Sequence, residues 1–116
     1  MNQVYLEGSV ANAPRLLDQE GAAPRLIFSL VMTHRSKAGM RKEYYPIRAW
    51  NQLARFGAQR LTPGPRVVVE GYLTQQVRPE GVQVQVTARR FHLLKAGEEV
   101  PEPGFVPEER DEDRAS

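Results

Sequence analysis

The stretch Glu43-Tyr44-Tyr45-Pro46-Ile47-Arg48-Ala49-Trp50-Asn51-Gln52-Leu53-Ala54 is where the chain changes its period. Over residues 43–50 the side chains alternate in twos, with Tyr45, Ile47 and Ala49 on one face and Tyr44, Pro46, Arg48 and Trp50 on the other, which is the pattern of a strand. Pro46 cannot donate to a ladder, so an irregular or edge-like point is expected there. From Asn51 to about Leu61 the period becomes helical. Asn51 is placed to cap, Leu53, Phe56 and Leu61 fall near one stripe, and Arg55, Gln59 and Arg60 lie off it. Thr62-Pro63-Gly64-Pro65 then stops the helix.

Strands are expected on both sides of this unit. Val4, Leu6, Gly8 and Val10 alternate with Gln3, Tyr5, Glu7 and Ser9. Residues 11–23 hold Pro14, Asp18 and Gly21 and read as a turn-rich connection. Leu26, Phe28, Leu30 and Met32 form a second strand, whose intervening Ile27 and Val31 suggest burial on both faces. Residues 34–42 read as a basic loop turning at Gly39. After the helix, Val67, Val69, Gly71 and Leu73 mark a fourth strand, Arg78-Pro79-Glu80-Gly81 a turn, and Val82, Val84, Val86 and Ala88 a fifth. The alternation slips at Arg89-Arg90-Phe91, which predicts a bulge. Three strands, one helix and two strands is the layout of an all-β, five-stranded OB-fold barrel with its helix between strands 3 and 4, a fold that binds oligonucleotides on its strand 2–3 face and nearby loops.

Charge is split along the chain. Residues 1–96 hold 14 Lys and Arg against 6 Asp and Glu, whereas residues 97–116 hold 2 Arg against 8 acids. The expected domains are therefore a folded basic body over 1–96 and a disordered acidic tail over 97–116, rich in Pro and poor in apolar residues. A basic body with an acidic tail suits a polyanion binder, and equally a soluble domain with a solvated tail. Eleven of the body's 14 cations are Arg, which both pairs with phosphate and stacks on bases. The chain has no cysteine, which leaves no disulfide, thiol chemistry or Cys-ligated metal and fits a cytoplasmic location. Neither a signal peptide nor a membrane span is expected.

The chemistry is concentrated on the outward face of the third strand. Tyr44, Arg48 and Trp50 place two aromatics beside a cation, and bases stack on aromatics while Arg pairs phosphate. Trp50 packed under the helix or in a subunit interface is the other arrangement that fits. Arg35, Lys37, Arg41 and Lys42 supply phosphate-attracting charge next to that face, or form an ordinary solvated loop. Tyr72, Gln76 and Arg78 extend the track, although an outward Tyr72 also suits an oligomer interface. His34 and His92 stand far apart, His92 reads as structural, and no HExxH, GxSxG, Walker A or dinucleotide glycine pattern occurs. A binding protein without catalytic residues, metal or cofactor is expected.

The segments Asn2-Gln3-Val4-Tyr5-Leu6-Glu7-Gly8-Ser9-Val10, Phe28-Ser29-Leu30, residues 43–54 and Val67-Val68-Val69-Glu70-Gly71-Tyr72-Leu73 resemble bacterial single-stranded DNA-binding proteins over residues 1–94. The resemblance implies an OB-fold and sequence-tolerant binding of single-stranded DNA in replication, repair or recombination, with a dimer or tetramer as the assembly. It places Tyr44 where the family usually has Trp and Trp50 where it has Phe. Two further Trp positions of the family fall near His34 or Arg35 and near Val77, which implies a grip on fewer bases. The family's tail ends in an apolar tip, whereas this one ends Asp113-Arg114-Ala115-Ser116. Residues 33–36 with Arg48-Ala49-Trp50 also resemble primosomal replication protein B, a dimeric relative. That reading implies a restart accessory role with replication or restart proteins as partners. Single-stranded RNA as the ligand, and a protein-interaction barrel that binds no nucleic acid, are the remaining alternatives.

Overall fold

The computed structural model describes residues 1–95; the acidic tail and its boundary at residue 96 lie outside them. Six strands and one helix follow in the order β1 (Val4–Val10), β2 (Arg15–Leu17), β3 (Arg25–Ser36), β4 (Gly39–Trp50), α1 (Asn51–Arg60), β5 (Arg66–Arg78) and β6 (Gly81–Leu93). The sheet order is β1-β5-β6-β4-β3-β2, and β1 also pairs β3 through Ser9↔Val31 and Val10↔Leu30. Those two pairs close β1, β5, β6, β4 and β3 into the expected five-stranded barrel. The β4–β6 pairing that completes the ring is parallel and short, Ile47↔Val86 and Arg48↔Thr87.

Inward residues follow the period-2 pattern. Val10, Leu26, Phe28, Leu30, Ile47, Ala49, Val67, Val69, Val86, Ala88 and Phe91 make the core, and the Phe28 and Phe91 rings meet at 5.8 Å and 57°. At Gly71 the backbones of β5 and β6 approach so closely that a Cβ would run into the carbonyl oxygen of Thr87. The helix closes one end of the barrel through Ala54 and Gly57, and a Cβ at Gly57 would strike Leu26 Cδ2. The carboxylate of Glu70, on the face of β5 opposite the core residue Val69, is buried and is met by His92 Nε2 at 2.6 Å and Arg90 at 3.4 Å, so His92 has a structural partner.

Three expectations need correction. The 11–23 connection contains the short strand β2, which pairs Arg15↔Ile27 through Leu17↔Arg25. Alternation over three residues, two of them exposed, is too short to register as a period. The basic stretch 34–42 is not a loop but the end of the β3–β4 hairpin, in register from Arg25↔Trp50 to Ser36↔Gly39 with only Lys37 and Ala38 as the turn. Its polar residues hid its strand character because both faces meet water there. Asn51 does not cap α1. The capping position is Trp50, with no side-chain hydrogen bond, while Asn51 takes a left-handed conformation (φ 58°), which Asn tolerates, and its N–H donates to the Pro24 carbonyl. Pro46 sits in unbroken register opposite Ser29, immediately before β4 gains β6 as a second neighbour, so that point is edge-like but not irregular. The bulge appears where the alternation slips: Glu70 pairs Arg90 and Gly71 pairs Ala88, leaving Arg89 as the extra residue.

Candidate nucleic-acid interface

The outward side chains of four neighbouring strands form one continuous face. Residues directly opposite in a ladder share a face. The pairs Tyr72↔Thr87, Arg48↔Thr87, Ile27↔Arg48, Val31↔Tyr44 and Arg25↔Trp50 therefore carry the face from β5 across β6 and β4 to β3. Tyr44 is 60% exposed and Trp50 43% exposed, while Tyr45 is half-buried and Ile47 and Ala49 are fully buried on the other side of the strand. Trp50 is thus not packed under the helix.

Trp50 is joined by a residue that sequence reasoning missed. The guanidinium of Arg25 lies 5.7 Å from the Trp50 ring centroid, a cation–π arrangement. Pairing outward from the turn at Lys37-Ala38 without a slip brings Arg25 opposite Trp50, so the register was the available signal, obscured by treating 34–42 as a loop. Arg48 lies diagonally from Arg25 on the same face. Its partial burial, and then the nearby charges of Arg25 and Arg78, hold its pKa below the ordinary arginine value. Three arginines that repel one another across a half-buried surface are relieved by an anion placed among them. Arg78, at the end of β5, is exposed and donates to Gln76 Oε1 at 3.0 Å.

Tyr72 is half-buried, and Arg89, the bulge residue, sits over its ring at 4.6 Å. Arg89 is a second cation missed from the sequence, because only the bulge determines which way it points. Between Tyr72 and Arg48 the face is polar, with Thr74 and Thr87 hydroxyls 2.8 Å apart.

The cations of the β3–β4 hairpin divide between its two faces. Alternation puts Arg35 and Lys42 on the side of Tyr44, and Lys37 in the turn. It puts Arg41 on the opposite side with His34 and Glu43. There Glu43 receives Arg41 at 3.0 Å, His34 at 2.8 Å and the Tyr45 hydroxyl at 2.6 Å. The Tyr45 hydrogen bond, helped by the charges of His34 and Arg41, lowers the Glu43 pKa, and the same bond raises that of Tyr45. Arg41 is therefore partly neutralised and turned away from the aromatic face.

Beyond the barrel, the other side of the β5–β6 ribbon carries Leu73, Val77, Val82 and Val84, all about half exposed or more. Among the described residues, no cluster of three His, Cys, Asp or Glu side chains could hold a metal, and no helix is long and apolar enough to cross a membrane.

A small single-stranded DNA-binding protein from Streptomyces coelicolor has a similar solved structure, with a TM-score of 0.67 at 24% identity, over 84% of this chain and 96% of that one. At that identity the likeness establishes the fold, an OB-fold barrel. No curated protein matches the chain. The profile of the Single-strand binding protein family matches residues 1–94, the whole barrel with its aromatic and arginine-bearing face, and the chain belongs to that family.

Proposed function

We propose that the protein binds single-stranded DNA, with little dependence on sequence, across the outward face of β3, β4, β6 and β5. The observation that carries this reading is the placement of Tyr44, Trp50 and Tyr72 with Arg25, Arg48 and Arg89 on one face, the aromatics interleaved with cations. Each accessible ring offers a base a stacking surface, and the arginines track the phosphates between successive bases. Arg35, Lys37 and Lys42 on the hairpin and Arg78 on the ribbon extend the positive field at its edges, whereas Arg41 contributes only at a distance. The chemistry is binding, and the work it serves is replication, repair or recombination in the cytoplasm.

The assembly we propose is a homo-oligomer, a dimer or tetramer. It is supported by Leu73, Val77, Val82 and Val84, a group of aliphatic side chains that a solitary monomer would leave in water. This ribbon is also the one observation that favours the second reading, an accessory barrel of the primosomal kind that works through a protein partner.

Trp50 is the only tryptophan, so its fluorescence reports the face directly. Titration with oligo-dT and oligo-rU, with the mass followed by light scattering, tests the reading. Quenching by oligo-dT with a mass above that of one chain is expected. Tighter binding of oligo-rU moves the ligand to RNA, and no binding of either leaves the protein-interaction reading.

A further inference from the structure

Beside Trp50, at the end of the outward face, a cleft of 260 Å³ is lined by Leu17, Gln19, Ala22, Ala23, Arg25 and Trp50. We propose that this cleft holds a single base of the bound strand and favours guanine, with Arg25 as the residue that reads it. The inference rests on the single-strand reading above and adds one base-selective position to an otherwise sequence-tolerant surface.

The volume is below the roughly 300 Å³ at which pockets begin to enclose drug-sized ligands, which suits one flat ring. Leu17, Ala22, Ala23 and the Trp50 indole give it apolar walls. The loop that forms one wall is fixed before any ligand arrives. Asp18 pairs with Arg55 of the helix at 3.3 Å, the Ala22 N–H donates to the Gln19 carbonyl at 3.2 Å, and the Pro24 carbonyl accepts from Asn51 at 2.9 Å. A wall held in place in the free protein removes much of the ordering cost of binding.

The polar groups of the cleft set its preference. Arg25 Nε is buried and has no hydrogen-bond partner among the described residues. A buried donor left without an acceptor costs free energy, which a ligand offering acceptors recovers. The guanidinium is a planar fork of donors only, and guanine presents O6 and N7 as a matching pair of acceptors. Adenine sets an amino donor beside its N7, and thymine separates O4 from O2 by its N3–H donor. Unpaired cytosine offers O2 and N3 as the other adjacent acceptor pair, on a smaller single ring that covers less of the Trp50 indole, so dC is the control for the assignment. The Gln19 amide can donate or accept and so adapts to whichever edge is present. Arg25 also lies against the Trp50 ring, which holds the fork beside a base entering the cleft.

The test uses the full chain and labelled oligo-dT, compared by fluorescence anisotropy with the same oligonucleotide carrying one dG at successive positions. The best-placed dG is expected to tighten binding about tenfold, the scale of a good bidentate Arg–guanine pair. Replacing that dG by 7-deaza-dG, which lacks the N7 acceptor, or by dA should abolish most of the gain. In Arg25→Ala, which removes every donor of the fork, the ratio of dG to dT affinity should fall to about one, whatever happens to both affinities. Equal affinity for dT and dG at every position overturns the inference, as does a preference that survives 7-deaza-dG or Arg25→Ala. Equal tightening by dA makes the cleft a general purine site, equal tightening by dC makes it a reader of any adjacent acceptor pair, and either overturns the assignment to guanine. If oligo-dT itself fails to bind, the single-strand reading falls as well, whereas dT binding without a dG preference removes this inference alone.

Discussion

Replacing Trp50 with Ala isolates stacking from folding. The ring is 43% exposed and stands outside the buried core, so its removal leaves no enclosed cavity. The stability cost is the partial burial of one ring and its contact with Arg25, a cation–π pair worth about 0.5–1 kcal/mol at an exposed site. A barrel with its whole core intact should therefore remain folded. Binding loses more, because a base stacked on an aromatic is worth roughly 1–3 kcal/mol, or about 5- to 150-fold in affinity. Trp50→Phe keeps a ring and should recover most of that loss. Since the substitution removes the only tryptophan, affinity must be read from a labelled oligo-dT by anisotropy at fixed salt, with circular dichroism to confirm the fold. A folded Trp50→Ala protein with unchanged affinity would refute the stacking role and move the interface elsewhere on the barrel.

Four further outcomes follow from the geometry. Arg48→Ala should reduce the log–log salt slope of oligo-dT binding by about 0.7 per lost phosphate contact, while Arg41→Ala, paired to Glu43 on the other face, should leave the slope nearly unchanged; equal effects would argue against the division of the hairpin's faces. Gly71→Ala forces a methyl group toward the Thr87 carbonyl and should destabilise by about 1–3 kcal/mol, seen as a lower urea midpoint. The lowered pKa of Glu43 means that its folded form binds a proton less readily than its unfolded form, so its contribution is present above the ordinary value of 4.5 and lost as pH falls through the lower folded value; Glu43→Gln should flatten the acid side of the thermal-stability profile, and an unchanged profile would count against the network. A chain ending at Ala96 loses 8 acids and 2 Arg and should bind oligo-dT more tightly at low salt, with the gain fading as salt rises; equal affinities at low salt would leave the acidic run as a partner hook or a solubility device.

The sequence by itself determined the barrel's strands, the position of its helix and the outward direction of Tyr44, Arg48 and Trp50. These depend on local period: a side chain's face on a strand is set by counting in twos, and Ile47 and Ala49, once placed in the core, send their neighbours outward. The slip at Arg89 was legible for the same reason. Only the tertiary structure decided which outward residues meet. Arg25 is 25 residues from Trp50 and reaches it through the hairpin's register, and Tyr72 joins the face through a parallel pairing of β4 with β6 that no local pattern encodes. Arg41 and Lys42 are adjacent cations in the sequence, yet one pairs with Glu43 while the other stands beside the aromatic face. The cleft at Trp50 belongs wholly to the fold, because its walls come from a loop, a short strand and the ends of two long ones, and their separation is set by an ion pair and two backbone hydrogen bonds rather than by any contiguous motif.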